Sequence, residues 1–71
     1  MQLIFIDFKT KETISSREID IGAHIPHLHE TVITPIGRTS NVISVEYYLS
    51  DDNSELYKKI EVYLEIFRNT D

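Results

Sequence analysis

The sequence predicts an all-β domain of about five antiparallel strands, and three observations carry that prediction. Between Asn41 and Ser50 the chain alternates, with Ile43, Val45, Tyr47 and Leu49 set against Ser44, Glu46 and Tyr48. Successive side chains of an extended backbone point to opposite faces, so this period of two describes a half-buried strand. Between Lys59 and Phe67 a second run repeats it, with Ile60, Val62, Leu64 and Ile66 opposite Glu61, Tyr63, Glu65 and Phe67. Finally, Gly22, Pro26, Pro35, Gly37 and the polar group Asp51, Asp52 and Asn53 cut the chain into short segments typical of strands and turns.

The elements follow in order. Leu3 to Phe8 is rich in β-formers and apolar on both faces except at Asp7, which predicts a central first strand. A carboxylate inside that run is costly if buried alone, so Asp7 should face outward or meet Lys9, Arg17 or Lys58. Lys9 to Ile14 reads as a polar connection to a shorter second strand over Ser16 to Ile21, hairpinned onto the first. Gly22 to His29 reads as a loop, because Gly22 frees the backbone and Pro26 fixes it. A β-branched run from Glu30 to Thr34 stops at Pro35, and Gly37 turns the chain into the long alternating strand.

The last segment also fits a period of 3.6. On that reading Leu56, Tyr57, Ile60, Tyr63, Leu64 and Phe67 form one stripe, Ser54 caps it, and a helix over 54–68 packs on a four-stranded sheet. Val62 and Ile66 would then lie on the helix's polar side. The strand, paired with Val42 to Leu49, is the reading the pattern favours.

The order LIFIDFKT, an acidic strand, Ile25 to Ile33, Arg38-TSNVISVEYYLSDD and Lys59 to Ile66 resembles uncharacterised small proteins of Gram-positive bacteria and their phages. In these a proline, a glycine–acid pair and a valine mark the bend into the third strand. Here Pro26, Glu30 and Val32 fit the marks, and His29 stands where the glycine is expected. The resemblance covers nearly the whole chain and implies a small SH3-like β-barrel. It brings no activity and no site residues.

Composition limits function. Seventy-one residues make a single domain, 1–71, and folding at that size buries only about 60% of the unfolded chain's surface. A walled catalytic cavity is hard to build on such a core. With no cysteine there is no disulfide staple or thiolate nucleophile, which fits a reducing cytoplasm and leaves homo-oligomerisation open. The apolar opening segment has no basic leader and contains Asp7, which argues against a signal peptide or a membrane span. Twelve acidic against seven basic residues give a formal charge of −5. That charge disfavours nucleic acid and anionic lipid and favours a basic protein surface.

Three clusters are chemically suggestive. His24, His27 and His29 with Glu30 crowd one loop, and imidazoles beside a carboxylate suit zinc, nickel or copper. Asp51, Asp52, Asn53 and Glu55 offer oxygen ligands but lack the glycine of a calcium loop, so a turn or cap is the plainer reading. Tyr48 and Tyr63, with Glu46, Glu61 and Glu65, should project from the face opposite the core, as exposed tyrosines at binding surfaces do. The bland alternative is that these rings only cover the second face of a small barrel. No glycine-rich phosphate loop and no serine elbow is present.

The expectation is therefore a non-enzymatic protein of phage or prophage type, without cofactor, that docks on a host protein through its acidic tyrosine face and modulates it. One alternative is an oligomer binding a nucleotide messenger, with Arg38, Lys9 or Arg17 on phosphate and His27 or Tyr48 stacked on the base. A metal bound by the histidine loop is another.

Overall fold

In the computed structural model, residues 1–20, 22–51 and 57–67 are described. They form five strands: β1 (Gln2–Asp7), β2 (Thr13–Glu18), β3 (Thr31–Ile33), β4 (Thr39–Leu49) and β5 (Tyr57–Ile66). All belong to one curled sheet in the order β2-β1-β5-β4-β3. The all-β barrel-like class read from the sequence is the class observed. The sheet is a half-barrel with β2 and β3 at its two edges.

Three of the four pairings are antiparallel, while β1 and β5 run parallel, with Leu3 opposite Ile60 and Phe5 opposite Val62. This departs from the all-antiparallel arrangement expected. It places the first and last strands side by side at the middle of the sheet, where both need apolar residues. The helical alternative for 54–68 fails over the described part, because Tyr57–Ile66 is strand. Its period-two residues Ile60, Val62 and Leu64 are all buried.

The first hairpin is tighter than expected. Lys11 adopts φ 66°, Lys11 N–H donates to the Asp7 carbonyl at 2.7 Å, and Asp7 N–H donates to the Glu12 carbonyl at 2.9 Å. Thr13 is therefore already opposite Ile6, and β2 starts three residues before the predicted Ser16. Asp7 is buried, 5% exposed, and its Oδ1 accepts the Lys9 backbone N–H at 2.9 Å. The turn thus supplies a hydrogen bond to this buried carboxylate.

The turn from β3 to β4 is built as Pro35 and Gly37 predict. Thr34 N–H donates to the Arg38 carbonyl at 2.9 Å, Gly37 N–H to the Thr34 carbonyl at 2.8 Å, and Gly37 sits at φ 86°. At the bend into β3, His29 holds φ 71° where the resemblance expects glycine. Side chains other than glycine are disfavoured there by about 1–2 kcal/mol.

Leu3, Val42, Ile60, Val62 and Leu64 form the core, with Phe5, Ile14, Ile25, Val32, Val45 and Ile66 among the residues packed against it. The strict alternation read into residues 43–49 needs correction. The β4–β5 register shifts between Val42 and Ser44, and this bulge lets Val42, fully buried, share a face with Val45 in place of Ile43. Tyr47 and Leu49 follow Val45 on that face but are 47% and 65% exposed. The cause is geometric: β1 begins only at Gln2, opposite Lys59, and β3 covers β4 only from Thr39 to Asn41. The distal β4–β5 hairpin therefore extends past the body of the sheet, consistent with molecular extents of 50 × 21 × 19 Å.

Candidate functional site

The outer face of β4 and β5 gathers most of the polar side chains singled out in the sequence. Glu46 lies directly opposite Glu61, Tyr48 opposite Lys59, and Ser44 opposite Tyr63. Two carboxylates facing each other across a ladder repel. The neighbouring phenols answer this: the Tyr48 hydroxyl lies 2.9 Å from Glu46 Oε1 and 3.0 Å from Glu61 Oε1, and the Tyr63 hydroxyl donates to Glu61 Oε1 at 2.7 Å. One hydroxyl carries one proton. With Tyr63 serving Glu61, Tyr48 can donate to Glu46, and both carboxylates are bonded.

Lys59 completes the network. Its Nζ lies 3.3 Å from Glu61 Oε2 and 4.5 Å above the centre of the Tyr48 ring, a cation–π contact. Lys11 reaches the same region from the first turn, 4.1 Å from the Phe8 ring and 5.7 Å from the Tyr63 ring. Neither lysine was among the residues proposed from sequence. Lys59 was legible in principle, since Glu46 opposite Glu61 calls for a nearby cation, whereas Lys11 required the turn geometry. Alternation along β5 puts Glu65, exposed, on this face as well.

The electrostatics are one-sided. Hydrogen bonds to Glu46 and then Glu61 raise the Tyr48 pKa well above the ordinary phenol value, and the bond to Glu61 raises that of Tyr63 to about 12. For Glu61, partial burial pushes the pKa up, but the bonds from Tyr63, Tyr48 and Lys59 together outweigh it and the value is lowered. At neutral pH the phenols are held protonated and the carboxylate ionised, which makes a fixed anionic hydrogen-bonding surface.

The other predicted residues lie elsewhere. Arg38 stands in the β3–β4 turn and borders a cleft with Asp7, Glu12 and Ile36, so it is not part of the tyrosine face. One chain thus does not bring Arg38 beside Tyr48 as the nucleotide reading supposed. In the histidine loop, Glu30 Oε1 lies 3.8 Å from His24 Nε2 and 4.0 Å from His27 Nδ1. It also accepts the His27 backbone N–H, and the two imidazole rings meet edge-on at 5.6 Å. The carboxylate closes the loop on itself, and among the described residues no group of three His, Asp or Glu side chains is placed to hold a metal ion. His29 is taken up by the bend. Of the acidic group after β4, Asp52, Asn53 and Glu55 lie outside the described residues. No helix among the described residues is long and apolar enough to cross a membrane.

Comparison with known proteins adds no relative to this picture: no family model, no curated protein and no solved structure matches the chain.

Proposed function

We propose that this chain is a non-enzymatic binding module that docks on a basic patch of a host protein through the outer face of β4 and β5. The single observation that carries the reading is the network of Tyr48, Tyr63, Glu46, Glu61 and Lys59, in which two phenols hold an otherwise repelling pair of carboxylates in fixed positions. A surface already ordered before contact loses little side-chain entropy on binding. Tyrosine next to ordered carboxylates offers both apolar area and acceptors for arginine or lysine. Glu65 widens the acidic rim, and the net charge of −5 speeds encounter with a basic partner at low salt.

The partner is of the kind that a phage-borne protein meets in its host. Size, charge and the whole-chain resemblance support that assignment. The experiment is affinity capture from host lysate with identification of the retained protein, followed by measured binding of that protein to variants. Tyr48→Ala and Tyr63→Ala should each weaken binding at least tenfold, and rising salt should weaken the wild type. Absence of a specific partner, or unchanged affinity in both variants, would overturn the reading.

A further inference from the structure

A groove follows the gap between the two edges of the half-barrel. Its wider part, about 580 Å³, has Leu3, Phe5 and Leu64 at the base and Ile14, Arg17 and Val32 along the sides. A narrower part, about 310 Å³, continues past Ile14, Thr34 and Pro35, which border both, towards Ile36 and Arg38. Among the described residues lining the wider part, the ionisable ones are Arg17 and His24. None of the ion pairs among the described residues includes Arg17. An acidic chain therefore keeps a cationic side chain over an apolar floor.

Among the described residues, no strand pairs with the outer edge of β3 beside this floor. Val42 N–H donates to the Glu30 carbonyl and Thr34 N–H to the Arg38 carbonyl, so the ladder directs the Glu30 carbonyl, the backbone groups of Val32 and the Thr34 N–H towards β4. Those of Thr31 and Ile33 point the other way, off the end of the sheet. Residues Val32 to Pro35 all border the groove, so the end of β3 and the start of the turn after it lie along its rim. A compact ligand could fill the apolar floor but would leave these backbone groups unused. An extended backbone uses both.

We propose that this groove binds an extended, acid-bearing peptide segment of a partner protein, added as an extra strand on β3. A carboxylate of the segment lies against Arg17, and branched apolar side chains two residues to either side pack over Phe5 and Ile14. The site lies on the opposite face from the tyrosine network and does not depend on it.

The test selects bead-displayed random nine-residue peptides against the full chain and measures their affinity for three variants. Enriched peptides should share one Asp or Glu flanked at two residues by branched apolar side chains. Arg17→Glu should weaken them at least tenfold by charge reversal. Ile33→Pro should do likewise by removing an outward N–H, a substitution that edge strands tolerate. Tyr48→Ala should leave affinity unchanged, and circular dichroism checks that each variant is folded. No enrichment, a basic consensus, or affinity lost in Tyr48→Ala but kept in Arg17→Glu would refute the site. So would a concentration-dependent dimer that Ile33→Pro dissociates, since a second copy would then fill the groove.

Discussion

The two faces of this sheet solve opposite problems with the same strands. On the outer face, Glu46 and Glu61 stand opposed and are reconciled by Tyr48, Tyr63 and Lys59, so that its polar groups largely satisfy one another. On the inner face, Leu3, Val42, Ile60, Val62 and Leu64 pack into a core that the curl of the sheet leaves open along one side. Stability should reside in the inner face, and pH and salt sensitivity in the outer one. The difference teaches that in a chain this small, charge can be ordered on one surface only because the other carries the folding energy.

The largest effect should come from the inner face. Leu64 is 1% exposed, and Leu64→Ala should cost about 2–5 kcal/mol, read as a lower midpoint in urea unfolding. Tyr63→Phe, one residue away on the other face, should move that midpoint far less. Equal losses would erase the distinction between the faces.

A smaller effect of opposite sign is expected at the bend. His29→Gly should raise stability by about 1 kcal/mol, because glycine takes φ 71° without the steric cost a β-carbon incurs. A destabilised variant would mean that the imidazole makes a contribution greater than the strain it bears.

The smallest effects are electrostatic and should sharpen the contrast. Tyr63 has its pKa raised in the folded state to about 12 from 10.0, so its contribution is complete below pH 10 and is lost as pH rises from about 10 to 12. Glu61 has its pKa lowered; its contribution is present above the unfolded value of 4.5 and is lost as pH falls below that value. Tyrosinate absorbance should show Tyr63 ionising later than the tyrosines of the unfolded chain. Tyr63→Phe should flatten the alkaline limb of the stability profile. An unchanged limb would remove Tyr63 from the network.

The strands were legible where period two was uninterrupted, as in β5, whose buried Ile60, Val62 and Leu64 were read correctly, and where proline and glycine marked a turn, as at Pro35 and Gly37. Ile43 and Val42 exchanged roles because a bulge inserts one residue without leaving any signature in hydrophobicity. The parallel pairing of β1 with β5 was hidden for another reason: strand propensity carries no direction, and neighbours in space need not be neighbours in sequence. At the candidate site, Tyr48, Tyr63 and the glutamates followed from alternation alone. Lys11 depended on a left-handed turn, and Arg38 lay in the β3–β4 turn beyond the reach of any rule about strand faces.

The place of β5 has one more consequence, and it concerns the order of events during synthesis. The sheet consists of two local hairpins, β1–β2 and β3–β4, that touch in the ladder only through β5, which slots between them. The contact of Leu3 with Ile60 spans most of the chain, so it belongs to the slow class of long-range closures. Until Tyr57–Ile66 has left the ribosome, the apolar edges of β1 and β4 lack their shared neighbour, and the nascent protein is two hairpins waiting for a keystone.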